Sequence, residues 1–316
     1  MTIRPVEILA IGAASMDIGA STAQPLLAHD SNPGRIRCTP GGVARNVAEN
    51  LARLGHGVRL LSVVGDDAFG DQLLEATRRA GVEVQACLRL VGQASASYLS
   101  LHGPDGDMAT AVNDMAILAQ LTPQWLAASA IDPQRQARAL LVDCNLSDAA
   151  LAWVFGAAGA IAIFAEPVSA FKCRRLLPWL AQVHTLKANR LELRALTGLP
   201  VDDADEATLQ RAAQWLHAQG VRQLVVSLGE RGAWWSERAG GCGWQRALAV
   251  SVTSATGAGD AMMAGLLHRH LQGDTLAQAL VFATGCAALT LGAPGANHPD
   301  LSVGAVHELL ASFQIL

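Results

Sequence analysis

Lysine is almost missing from this chain. Of 23 basic residues only Lys172 and Lys187 are lysines, and neither completes a G-x-x-x-x-G-K-[ST] phosphate loop. No G-x-G-x-x-G follows the first predicted strand, which argues against a dinucleotide-binding enzyme. The six cysteines never form a C-x-x-C pair, so the spacing expected of a zinc site or a disulfide framework is lacking. A reduced, cytoplasmic setting fits that usage best. Charged residues make up only 16% of the chain, and a net charge of −4 gives no electrostatic reason to expect a nucleic-acid polymer as partner. The N-terminus lacks the apolar core of a signal peptide. One uncharged stretch, residues 275–297, has the length of a membrane span, but Gln278, Thr284 and Thr290 interrupt it and Gly292-Ala-Pro-Gly295 ends it, so it reads as a buried helix and no membrane is expected. The nine histidines are dispersed, and His268 and His270, two apart on a helix, do not face the same way.

Glycine is plentiful, and one cluster of small residues organises the chain. Thr256-Gly257-Ala258-Gly259-Asp260 opens a helical apolar pattern. Small residues leave the first amides of a helix uncovered, and those amides, lacking intrahelical partners at the positive end of the dipole, bind anions. Asp260 falls in the same first turn. Taken alone it is also a plain helix cap, but capping needs no bare backbone before it. An anion hole beside a fixed carboxylate points to transfer of an anionic group, with Asp260 as the base.

From the N-terminus, residues 6–11 read as a buried strand, with Asp17 in the loop that follows. Residues 19–40 look irregular. Gly41-Gly42 then start a helix whose Val43, Val47, Leu51 and Leu54 form an apolar stripe, with Arg45, Glu49 and Arg53 on the outer face. Asn46, one turn inside that start, is either a surface amide or a ligand contact. A second strand spans 58–64, and a helix follows over 71–80. Residues 82–113 have hairpin character around the turn Gly103-Pro-Asp-Gly106 and, with 19–40, are expected to form a lid. Strands are predicted at 139–144, 160–165, 185–187 and 224–227, with helices between them. Such alternation implies an α/β fold, a doubly wound, mostly parallel sheet covered on both faces, and a site at the carboxyl ends of the strands. Asp17, Asn145, Glu166, Asn189 and Ser227 fall there. Asn189 and Glu192, one turn apart, suit either a hydrated Mg²⁺ or a capping box. Ser227-Leu-Gly-Glu-Arg-Gly232 is a glycine turn that could lie close to a nucleotide. Residues 1–316 read as one domain with a lid.

Gly41-Gly42 with Asn46, Asn189-x-x-Glu192, Ser227-x-Gly229 and Thr256-Gly-Ala-Gly-Asp260 together resemble the ribokinase-like (PfkB) carbohydrate kinases along essentially the whole chain. The resemblance implies transfer of the γ-phosphoryl of ATP to a hydroxyl, with Mg²⁺ as cofactor. Carried onto these positions, it places Asp17, Gly41, Gly42 and Asn46 at the sugar. Asn189, Ser227, Gly229, Gly232 and Thr256 are placed at the nucleotide, and Glu192 at the metal. Gly257, Ala258 and Gly259 become the anion hole and Asp260 the base. Many relatives have Asp two residues before that Thr. Here Ser254 stands in its place, which removes a carboxylate from a segment that helps hold K⁺ in those relatives. Further stretches, including Asp30-Ser-Asn-Pro-Gly34, Ser97-Tyr-Leu-Ser-Leu101 and Asn113-Asp-Met115, are similar to members that act on a nucleoside. They imply a lid that reads the base, with Ser97 and Asn113 at its polar edges and Tyr98, Leu99 and Met108 against its face. Lids of this kind often pair, so a homodimer is expected.

Overall fold

The computed structural model describes residues 5–129, 131–201 and 205–315. The chain begins with β1 (Ile8–Ile11), β2 (Ser15–Thr22), β3 (Gly34–Gly41) and helix α1 (Val43–Arg53). Next come β4 (Val58–Leu61), β5 (Val63–Gly65), α2 (Ala68–Arg79), β6 (Leu88–Leu90), β7 (Ser97–His102) and β8 (Met108–Asp114). Two short helices, α3 (Pro123–Ala128) and α4 (Pro133–Gln136), lead to β9 (Ala139–Asp143), α5 (Asp148–Ala158) and β10 (Ala162–Glu166). Then follow β11 (Val183–Asn189), α6 (Arg190–Thr197), α7 (Glu206–Ala218), β12 (Gln223–Ser227), β13 (Ala233–Glu237) and β14 (Cys242–Gln245). Helices α8 (Ala258–Leu271), α9 (Leu276–Leu291) and α10 (Val303–Ser312) close the chain.

The main sheet runs β14-β13-β12-β11-β10-β9-β1-β4. Its six strands from β12 to β4 are parallel, and β13 and β14 add an antiparallel edge. Alternation within each strand divides the core in two. Leu9, Ile11, Leu140, Val142, Leu224 and Val226 pack on one face with residues of α3, α5, α6 and α7. Ile8, Ala10, Ala139, Leu141, Phe164 and Val225 pack on the other with residues of α1, α8, α9 and α10. Both faces are apolar because both are covered, which is what confines parallel sheets to such layered folds. The uncharged segment forms α9, opened by a capping box between Thr275 and Gln278. No helix among the described residues is long and apolar enough to cross a membrane.

A second sheet, ordered β3-β2-β7-β8, stands apart from the first. Several expectations change here. Asp17 lies within β2, not in a loop, and residues 19–40 are largely the paired strands β2 and β3. Residues 88–90, expected in the lid, pair instead with β5 in a separate two-stranded sheet. The edge hairpin β13–β14 was not expected at all.

The outer face assigned to α1 is also buried. Arg45 and Glu49 are buried and ion-paired to each other. Arg45 further donates to Thr77 Oγ1 at 3.1 Å, to the Pro40 carbonyl at 3.0 Å and to Asn297 Oδ1 at 3.0 Å. Helical period alone shows which residues share a side, and here α2 and the strand before α1 cover two sides.

Asp143, at the end of β9, joins three segments. Its Oδ2 accepts from Ala13 N at 2.8 Å and Ala44 N at 3.0 Å, while Oδ1 accepts from Asn145 N at 2.8 Å. These bonds tie the end of β1, the start of α1 and the end of β9 to one fully buried carboxylate. Gly12 must be glycine because a Cβ there would overlap that carboxylate. Asp143→Ala orphans three buried donors, and we expect it to lower stability by about 3 kcal/mol. Urea unfolding checks this; a loss well under about 1 kcal/mol would mean that water takes over the three bonds.

Candidate active site

Helix α8 starts at Ala258, with Gly257 as its N-cap in the left-handed region at φ 83° and no capping side chain. Glycine is required there twice over, since a Cβ would also overlap the Ala296 carbonyl oxygen. Ala261 N makes the bond to the Gly257 carbonyl at 2.9 Å. The amides of Ala258, Gly259 and Asp260 precede that bond and point out of the helix end, at the positive end of its dipole.

Asp260 is half-buried in that first turn, and Asn46 Nδ2 donates to its Oδ2 at 2.8 Å. Asn46 cannot flip freely, because Arg45 donates to its Oδ1 at 2.9 Å and so turns the amide nitrogen toward Asp260. Asn297 Nδ2 in turn donates to the Asn46 carbonyl at 2.9 Å, joining the loop after α9 to α1. Desolvation pushes the Asp260 carboxyl up to about 7, against the Asn46 hydrogen bond and the Lys187 ammonium, with Asp17 and Asp143 adding to the rise. A carboxylate with that affinity for a proton is a far better base near neutral pH than an ordinary one.

Asp17 approaches from the lid. Desolvation raises it to about 6, opposed by its bond from Ser15 and by Arg45. Gly41, on the neighbouring strand, is glycine because a Cβ would overlap the Asp17 carboxylate. Gly42 caps α1 at φ 95°, where a Cβ would press on Ala13 and Ala14. Both glycines thus serve close approaches within the chain. Register places Thr39, Asp17, Tyr98 and Asn113 side by side across the lid, so they share one face. Ser97 pairs with Met16 and takes the other face, where Met16 is buried against Val64 and Leu73. Leu99, paired with Ile18 and Val112, is on that second face too. The Tyr98 hydroxyl donates to Met108 Sδ at 3.4 Å.

Asn189 and Glu192 form a reciprocal capping box. Asn189 Oδ1 accepts from Glu192 N and Glu192 Oε2 from Asn189 N, both at 2.9 Å. Ser227 pairs with Asn189 at the ends of β12 and β11. Asn189, Arg190, Leu191, Ser227, Leu228, Gly229 and Arg231 line an open cleft of about 320 Å³. Gly229, at φ 60°, faces open space there, whereas at Gly232, just before β13, a Cβ would overlap the carbonyl of Gln245 at the end of β14. Thr256 is exposed, and its amide donates to Ser254 Oγ at 3.2 Å.

Two charged residues meet at this end of the sheet: Glu166, which the sequence places at a strand end without a role, and Lys187, which it does not place at the site. Glu166 ends β10 and Lys187 lies on β11; both are buried and ion-paired at 3.1 Å. Desolvation raises the Glu166 carboxyl well above its usual range even with Lys187 beside it. Desolvation pulls the Lys187 ammonium down, but Glu166, Glu192 and Asp260 outweigh it and the net shift is upward. Glu166 Oε1 has no partner in hydrogen-bond geometry. Among the described residues no three His, Cys, Asp or Glu side chains gather as a metal cage. Hard oxygen donors from Glu166 and Glu192 nevertheless fit Mg²⁺, which keeps most of its waters and uses one or two carboxylates plus phosphate. The signal was available: an acid at a strand end, and one of only two lysines three residues before a helix.

A model of the pfkB family carbohydrate kinases matches residues 6–302. The chain is 41% identical over 309 residues to pseudouridine kinase from Escherichia coli K12, covering 98% of each. A carbohydrate kinase from Agrobacterium tumefaciens has the same fold, with 29% identity, a TM-score of 0.81 and 97% of each chain covered. Ribokinase from Thermotoga maritima superposes with a TM-score of 0.83 over 97% of this chain and 99% of its own, at 19% identity, so the fold is shared.

A reaction that uses Asp260 as its base needs the ionised form, which prevails above about pH 7. The expected kcat/KM climbs with pH to that point and then levels off. Asn46→Ala removes a bond favouring the ionised form and moves the inflexion upward. A pH series of kcat/KM checks both; a flat profile through neutrality excludes Asp260 as the base.

Proposed function

The chain belongs to the pfkB family of carbohydrate kinases, and we propose that it phosphorylates the 5′-hydroxyl of pseudouridine with ATP, giving pseudouridine 5′-phosphate and ADP. The carrying observation is the Asp260 carboxylate, with its raised proton affinity, set among the first amides of α8 and oriented by Asn46. The relative at 41% identity supports the choice of nucleoside.

In this reading the sugar lies between α1 and the lid, with Asp17 and Asn46 at its hydroxyls. The 5′-oxygen attacks the γ-phosphorus as the bond to the bridging oxygen of ADP breaks, and the hydroxyl proton passes to Asp260. A loose transition state spreads charge over the phosphoryl oxygens, which the amides at Gly257, Ala258 and Gly259 receive. ATP occupies the cleft at Asn189, Ser227 and Gly229, with Thr256 near its phosphates. Glu192 and Glu166 would hold Mg²⁺, which would supply charge neutralisation on the phosphates. Tyr98 and Asn113, on the Asp17 face of the lid, read the base. Ile36, Leu99 and Val112 are exposed at 72%, 43% and 65%, and register places them together on the opposite face. We propose that this face pairs with a second copy of the chain.

A panel measuring ADP release from pseudouridine, uridine, ribose and fructose tests the substrate. Pseudouridine is expected to give the highest catalytic efficiency; equal efficiency on ribose contradicts the assignment. Asp260→Asn is expected to cut kcat by about 10²–10⁴-fold while nucleoside binding persists. A wild type inert on every panel member, yet binding one of them, favours a sensor on the same fold. The same assay in K⁺ against a bulky organic cation tests activation, for which backbone carbonyls near Ser254 are the available ligands; a flat response removes K⁺.

For the assembly, a charge at Ile36 or Val112 is expected to convert a dimer to a monomer in sedimentation. Wild type that sediments as a monomer removes the pairing.

A further inference from the structure

Both lysines of the chain lie toward the carboxyl ends of the main-sheet strands. Lys172 Nζ donates to Asn145 Oδ1 at 2.6 Å, a bond that accounts for its position. Lys187 is less easily explained. Its residue is only 6% exposed, and the ion pair it makes to Glu166 at 3.1 Å leaves Glu166 Oε1 outside hydrogen-bond geometry. A pair built only to neutralise two buried charges gains most from a well-aligned bond. Here the ammonium is instead close to the start of α8: a Cβ placed on Gly259 would stand 3.2 Å from Nζ. Nζ carries three donors, and Glu166 engages at most one. A compact point charge fits beside a glycine where the broad fork of an arginine would not, in a chain that otherwise uses arginine for positive charge.

We propose that the Lys187 ammonium is a fixed cationic member of the anion hole, donating to the phosphoryl group in transit, with Glu166 as its holder. The inference rests on the kinase reading above. In the step itself the acceptor oxygen–phosphorus bond forms while the bond to the leaving nucleoside diphosphate breaks. The hydroxyl proton goes to Asp260, and Lys187 neither gains nor loses one. Its charge meets the equatorial oxygens opposite the amides of α8. This also gives a reason for glycine at position 259, since even a methyl group would crowd the space between Nζ and the phosphoryl oxygens.

Lys187→Met leaves Glu166 buried without its counter-charge, so the test pairs it with Lys187→Met/Glu166→Gln, which removes both charges, and reads each against Glu166→Gln alone, which removes only what Glu166 contributes to Mg²⁺. With each variant shown to be folded by circular dichroism, kcat is expected to fall by about 10²–10³-fold, the usual loss for one oxyanion donor, with KM for the nucleoside little changed. A second readout needs no acceptor. Mg²⁺, ADP and aluminium fluoride together mimic the phosphoryl group in transit, and they are expected to raise the melting temperature of the wild type. The double variant should lose that increment while keeping the one given by pseudouridine. Undiminished kcat in the double variant, a retained aluminium fluoride increment, or none in the wild type overturns the proposal. A wild type that responds to aluminium fluoride and not to pseudouridine counts against the substrate assignment alone.

Discussion

The candidate site depends on one buried carboxylate that does no chemistry. Asp143 collects amides from β1, α1 and the turn after β9, and so fixes where α1 begins relative to the sheet. Everything that α1 then offers follows from that start. Asn46 sits one turn in, its amide turned by Arg45, and reaches a carboxylate on a helix 214 residues away in sequence. A carboxylate accepting several backbone donors is among the stronger polar anchors available inside a protein. Moving the end of β9 would therefore move the partner of Asp260 with it.

Charge at the strand ends is arranged so that each group is uncomfortable alone. Glu166, Glu192 and Asp260 surround Lys187, and desolvation presses Glu166 and Asp260 toward their neutral forms while the surrounding carboxylates hold the Lys187 ammonium charged. An anionic ligand with its cation would enter a region where the fixed charges are already held in place by packing. Such fixed charges need little reorganisation when charge develops on a substrate, the general advantage of preorganised sites. For Asp260 the same burial gives a proton affinity suited to neutral pH.

Sequence carried the layered architecture well, because strands buried on both faces read as short apolar runs and α1 and α8 begin at glycines. It singled out Asp260, Asn189 and Glu192 by motif, and the structure adds that the last two satisfy each other as a capping box. It missed what depends on distant partners. Arg45 and Glu49 look like surface charges until Thr77, Pro40 and Asn297 close over them. Asp143 carries no motif, only a position at the end of a strand. The lid was placed roughly, but short strands without a strong period left β2 and β3 looking irregular and drew residues 88–90 into the wrong sheet. Strand parity then separates Ser97 from Tyr98, a distinction that a run of adjacent candidates cannot show before the register is known.

The lid is a sheet of its own, joined to the rest through the ends of β2 and β3, where Asp17 and Gly41 meet. The residues of its inner face on β7 and β8 share no hydrogen-bonded strand with the sheet that holds Asp143 and orders the helices around it. Side chains on those two strands can therefore change without disturbing the Asp143 bonds that fix the start of α1. A scaffold partitioned in this way can vary by small edits to one wall, with its bonded frame insulated from each trial.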